Sequence, residues 1–256
     1  MKSISRSFSL LFVVLAMLCC TSNAFADRFI AVSDYWCPYA CHPGNMSGYI
    51  VDILKFSFKG SPNKLDYEIV PWQEALRFTT TGKYQALIGC TKDEAPNFIY
   101  PTEPVGYSSN DVFVKSDSNK EFKDVHSFAN GILGAAFGYD YGDDVNWYIL
   151  QNPTKVVLAS TDKPVMENLF MLVNGKVDYI IGDKNVVEWA ARQLGFLGNI
   201  KNIGSVGEPI PIFVGFTPVD KASPELAKTL DTGLAALRQS GKLQKILDKY
   251  SVKDWK

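Results

Sequence analysis

The chain has 256 residues, 26 of them basic and 27 acidic, with 46% apolar side chains. A balance this close to neutral argues against a nucleic-acid or anionic-membrane partner, and the length suffices for one large core or two modest ones. Without internal repeats or low-complexity runs, the composition is that of a globular protein.

At the N-terminus, basic Lys2 and Arg6 precede the apolar run "LLFVVLAML" (10–18) and the small-residue pattern Ala24-Phe25-Ala26. These are the three zones of a secretory signal, and the run is shorter than the ~20 residues that span a bilayer. Residues 1–26 are therefore expected to be removed, which leaves a periplasmic chain starting at Asp27 with 24 basic and 27 acidic residues. Three cysteines remain, Cys37, Cys41 and Cys90. In an oxidising compartment an odd number implies one disulfide and one free thiol, and Cys37–Cys41 or a bridge to Cys90 are both open. His42 follows Cys41, so a metal site of three thiolates and one imidazole can be drawn, but the thiols lack the tight pairs of zinc ribbons and no metal or cofactor is expected.

"RFIAVSD" (28–34) reads as a strand running into a loop. "SGYIVDILKFSFKG" then places Ile50, Ile53, Leu54 and Phe58 on one helical face, with Gly60 as a stop. "DYEIV" is a strand, "PWQEALRFTTTGK" a short helix opened by Pro71, and "YQALIG" a third strand. This alternation is the pattern of a parallel sheet covered on both faces. "SNDVFVKSDSN" reads as a strand entering a polar hinge, after which the pattern restarts with strands at "GILGAAFG", "KVVLAS" and "VDYIIGD". Helices are expected at "GDDVNWYILQ", "KPVMENLFMLVNGK" (Val165, Leu169, Leu172 and Val173 inward) and "KNVVEWAARQLG", for which Asp183 is a possible N-cap. The chain closes with a β-rich connection, "IPIFVGF", and two amphipathic helices, the first with Ser223 as N-cap ahead of Pro224.

The ordered set "WCPYACHPGNMSGYIVDIL", "PWQEALRFTTTGKYQALIG", "MLVNGKVDYIIGD" and "SPELAKTLDTGLAALRQSGKLQKILDKY" resembles the family 3 extracellular solute-binding proteins, bilobed periplasmic proteins that serve polar amino acid ABC transporters. No one of these motifs is specific, but in this order they span nearly the whole mature chain. The resemblance implies an α/β fold of the type II periplasmic-binding class: two lobes, each a mainly parallel sheet flanked by helices, with a ligand cleft between them. Lobe one would be residues 27–114 and 212–256 and lobe two residues 115–211, closing about a hinge at Phe113 to Lys115 and Phe213 to Gly215.

In members of that family that bind α-amino acids, a threonine and then an arginine follow the strand equivalent to "ALIGC". The arginine forks onto the ligand carboxylate, a geometry that lysine does not copy. Here the threonine is matched by Thr91, but the arginine position falls near Pro96, and the mature chain's four arginines (28, 77, 192 and 238) lie elsewhere. The family's acid for the ligand ammonium is matched by Asp183, and its cleft aromatics by Tyr39 and Tyr107. Trp72, together with Tyr139 in the "GYDYG" loop, completes the expected ligand set: Tyr39, Trp72, Thr91, Tyr107, Tyr139 and Asp183.

Catalytic motifs are missing: there is no nucleophile elbow, phosphate loop or helical His pair. A dehydratase-like use of Glu94, Glu103 or Asp183 is the remaining enzymatic alternative, and no catalytic residue is expected. The sequence thus describes a monomeric periplasmic binding protein for a small polar or amine-containing ligand, delivering to membrane transporter subunits or, alternatively, to a membrane sensor.

Overall fold

The computed structural model describes residues 28–161 and 163–256, so the expected signal segment lies outside the described residues. The first elements alternate as expected: β1 (Arg28–Ser33), α1 (Tyr49–Ser57), β2 (Lys64–Ile69), α2 (Trp72–Thr80) and β3 (Ala86–Cys90). After the long crossing strand β4 (Gly106–Lys115), a second series follows. It comprises β5 (Leu133–Ala136), α3 (Asp143–Gln151), β6 (Val156–Ala159), α4 (Pro164–Val173), β7 (Tyr179–Asp183) and α5 (Lys184–Gln193). Strand β8 (Ile200–Phe216) returns, and α6 (Ser223–Gln239) and α7 (Lys242–Tyr250) close the chain.

The strands lie in the order β2-β1-β3-β8-β4-β7-β5-β6. In the first half β1 pairs parallel with β2 and β3, and in the second β5 pairs parallel with β6 and β7. Antiparallel β4 and β8 join the halves, their pairing running from Gly106 opposite Ile212 to Lys115 opposite Ile200. Register fixes how the halves face each other. Cys90, at the C-terminal end of β3, lies opposite Phe213, and Asp183, at the C-terminal end of β7, lies opposite Asn110. Both sets of parallel strands therefore aim their C-terminal ends at the crossing, where open α/β sheets carry their ligand crevices.

Two packed bodies result. One core gathers Phe29, Ile50, Ile53, Leu54 and Phe58 with Ile212, Leu230, Leu234 and Tyr250, joining the two ends of the chain. The other is built from Val112–Val114 onward, through Phe128, Tyr148, Leu169, Leu172 and Ile180. The expected helical faces are inward, with Ile50, Ile53 and Leu54 fully buried on α1 and Leu169 and Leu172 fully buried on α4. Burying a leucine or isoleucine side chain contributes roughly 1.5–3 kcal/mol, which is why these short helices hold against the sheet.

Three expectations shift. Val112, Phe113 and Val114, expected at the end of lobe one and in its hinge, pack in the cores built from the residues that follow them in the chain. The sequence reading put the boundary where polarity begins, at Lys115, but apolar β-formers extend the second core back to Val112. Strand β8 starts at Ile200, well before "IPIFVGF", because Gly204, Gly207 and Pro209 mask a strand that is exposed over much of its length. Ser223 is the first residue of α6 rather than its N-cap, and its hydroxyl donates to the Thr217 carbonyl.

Candidate functional site

Asp34 stands directly after β1, at the crossing. Burial pushes its carboxyl from an ordinary 3.8 to about 6, with hydrogen bonds from its own backbone and Ser33 pulling the other way and the Glu94 charge pushing up last. No cation among the described residues pairs with it within ion-pair distance. Across the crossing, in the loop after β5, the Tyr139 phenol is also held up, by burial and then by the charge of Asp34. A carboxylate from one lobe and a half-exposed aromatic from the other thus share one electrostatic space. Sequence reading passed over Asp34; the available signal was an acid immediately after an apolar parallel strand.

The turn after β3 closes on itself. Glu94 Oε2 accepts from the Thr91 backbone N–H and hydroxyl, both at 2.9 Å, and Thr91 Oγ1 accepts from the Glu94 N–H at 3.2 Å. This loop holds an acid where an arginine fork was sought. All four arginines of the described chain are engaged elsewhere: Arg28 with Asp66, Arg77 over the Phe78 ring, Arg192 with Glu188 and Arg238 with Asp254. Gly89, one residue before Cys90, has φ +87°, and an added Cβ would lie 2.9 Å from the Trp36 ring. The Cε3–Cζ3 edge of the indole meets the bare backbone there, and the ring stacks on Tyr39 with centroids 4.0 Å apart and planes 16° apart.

Tyr39 is fully buried and Asp183 is 8% exposed. Asp183 Oδ1 accepts from Val186 N at 3.0 Å, so the carboxylate does cap α5. Its Oδ2 accepts from the Ser108 hydroxyl at 2.7 Å, the Tyr39 hydroxyl at 3.0 Å and Ser109 N at 3.3 Å. Burial pushes this carboxyl to about 6 against the pull of those donors. Burial, then the Asp183 charge, keeps the Tyr39 phenol well above its ordinary value, so it remains a donor, and Asn185 Nδ2 donates to its oxygen at 2.8 Å.

The remaining expected residues scatter. Tyr107 is 39% exposed on β4, and its carbonyl is a second acceptor for Tyr39, at 3.0 Å. Trp72 begins α2 and packs on the apolar layer of Val32, Ala75 and Leu87. In the "GYDYG" loop, Asp140 Oδ1 accepts from Gly142 N and Asn146 Nδ2, and Tyr141 is buried with its hydroxyl accepting from Ala136 N. Cys37 and Cys41 form the disulfide, while Cys90 is a buried free thiol that burial pushes up to about 12. Two grooves, of about 480 and 380 Å³, lie beside α6 and include none of the expected ligand residues.

Comparison with known proteins gives this arrangement a family. At 23% identity over 215 residues, covering 82% of this chain and 78% of the relative, the chain is similar to a probable amino-acid-binding protein, YxeM, of Bacillus subtilis (strain 168). In fold it is similar to a structure from work on glutathione import through GshT and the cystine ABC importer TcyBC of Streptococcus mutans. That match has a TM-score of 0.70 at 22% identity, covering 88% of this chain and 94% of the other. A histidine kinase sensor domain with similarity to periplasmic binding proteins matches with a TM-score of 0.65 at 17% identity, covering 87% and 95%. The fold is that of the two-lobed type II periplasmic binding proteins. The model of the bacterial extracellular solute-binding proteins, family 3, matches residues 29–253, and the chain belongs to that family.

Proposed function

We propose that this is a periplasmic receptor that captures a small amine-containing solute between its lobes and presents it to an ABC-type transporter. The observation that carries the reading is the acid after β1: Asp34 has no cation within ion-pair distance among the described residues, while every described arginine is engaged elsewhere. A partly buried carboxylate without a cation favours a ligand that supplies one, and a site without a guanidinium fork offers an α-carboxylate no bidentate partner. Tyr139, Tyr107 and the Trp36 ring would wall the cation, each face adding ~0.5–2 kcal/mol. Lobe closure then excludes water and strengthens the ion pair. Binding without bond-breaking is the chemistry this arrangement supports.

A second reading, a ligand-sensing subunit for a membrane signalling protein, draws support from the same departure from the amino-acid clamp and from the likeness in fold to a kinase sensor domain. The test is a thermal-shift screen of the mature protein with amines, polyamines, amino acids and carboxylates, because selective binding raises the midpoint by mass action. Amines alone should shift wild type and leave Asp34→Asn unmoved; a selective shift with glutamate or another acidic amino acid would sink the amine reading.

A further inference from the structure

We propose that Asp183 is a strut between the lobes, a positioning residue that holds Tyr39 and through it the Trp36 ring, rather than a partner of the bound solute. An ionised carboxylate offers about four acceptor sites. Asp183 already receives four donors, two of them side chains: Tyr39 from lobe one and Ser108 from the crossing strand β4. A solute ammonium reaching Asp183 would turn the Tyr39 hydroxyl onto its other acceptor, the Tyr107 carbonyl at 3.0 Å, and so break the contact between Tyr39 and the end of β7.

The contact is part of a seam. Along α5, Asn185 donates to the Tyr39 oxygen at 2.8 Å, and Val186 and Trp189 pack against the lobe-one core. Trp189 meets Tyr250 of α7 with centroids 6.0 Å apart. Residues 185, 186 and 189 share one helical face, so a single stripe of α5 rests on lobe one, and Asp183 caps the end of that stripe. Tyr39 transmits the position of the seam to the cleft because Trp36 stacks on its ring and sets the edge of its indole against Gly89. The seam therefore sets both the angle between the lobes and the attitude of the aromatic floor. That this floor meets a solute rests on the reading above; that the seam joins the lobes does not.

The test uses ligand-free mature protein, so its outcome is independent of whether any amine binds. Asp183→Ser keeps an N-cap, since serine caps helices well, but is too short to reach Tyr39. Tyr39→Phe removes the hydroxyl and keeps the ring. Small-angle scattering reads the separation of the lobes, and near-UV circular dichroism reads the Trp36–Tyr39 stack, with Trp36→Phe defining the Trp36 contribution. Asp183→Ser is expected to enlarge the radius of gyration beyond the wild-type error and to lose more than half of the Trp36 contribution. Tyr39→Phe should do the same, with the double variant no further changed than the larger single one. Wild-type scattering and dichroism in Asp183→Ser, or fully additive effects in the double variant, would overturn the strut and leave Asp183 as a helix cap open to solute.

Discussion

Asp34 and Asp183 are the same residue type at corresponding places, each at the C-terminal end of a parallel strand in one lobe, and burial pushes each to about 6. They differ in what surrounds the oxygens. Asp183 is met by four donors from three parts of the chain, whereas Asp34 is partly exposed, its neighbour Ser33 turns its hydroxyl to the Ile88 carbonyl, and the Glu94 charge pushes the acid further up. A buried acid on which donors from several parts of the chain converge organises structure; one left short of donors is available to a ligand. Burial and a perturbed pKa do not separate the two cases, but the donor inventory does.

The largest effect should come from removing the open acid. Asp34→Asn is expected to lower the affinity for an amine that binds by about a hundredfold in calorimetric titration, the size expected when a buried charge loses its partner. Thermal stability of the ligand-free protein should hold or rise, because a partly desolvated charge without a cation has gone. If Asp34→Asn bound that amine as wild type does while Asp183→Asn did not, the comparison would be inverted.

Next is the floor between them. Gly89→Ala must adopt φ near +87° and push against the Trp36 ring, a combination expected to cost about 1–3 kcal/mol in urea unfolding. A change within the experimental error of zero would mean that the indole gives way freely and is no fixed floor.

The pH dependence follows from the direction of the shift. In the ligand-free protein the raised carboxyl of Asp34 favours its protonated form, so its stability contribution is full below 3.8 and is lost as pH rises through about 6. A bound ammonium favours the carboxylate instead. Amine affinity should be full above about pH 6 and fall roughly tenfold between pH 7 and pH 5, with proton release on binding in that window. Affinity flat across it would remove Asp34 as the anchor.

The fold was legible because its signals are local. Apolar periodicity placed Ile50, Ile53 and Leu54 of α1 and Leu169 and Leu172 of α4 inward, and the alternation of strands and helices specified parallel sheets. The extent of β8 was not, since a half-exposed crossing strand interrupted by Gly204, Gly207 and Pro209 lacks the apolar run that marks a buried one. At the site, the missing arginine fork could be read from four residues. The partnership of Tyr39 with Asp183 could not, because it joins positions 144 residues apart through a hydroxyl. Asp34 was passed over because its signal, a lone acid after a strand, becomes informative only when its neighbours prove to bring no positive charge.

Thr91 is the intermediate case and gives the smallest expected effect. Its hydroxyl donates to Glu94 at 2.9 Å and accepts from the Glu94 N–H at 3.2 Å, so it braces the turn that brings Glu94 toward Asp34. Thr91→Val keeps the shape, removes both hydroxyl bonds and should destabilise the protein by about 1 kcal/mol. If bracing is its whole role, affinity for an amine should change less than about threefold, since the Thr91 backbone N–H still holds Glu94 Oε2. A tenfold or greater loss of affinity with unchanged stability would instead make the hydroxyl a ligand contact, and would place this end of β3 with Asp34 on the open side of the comparison.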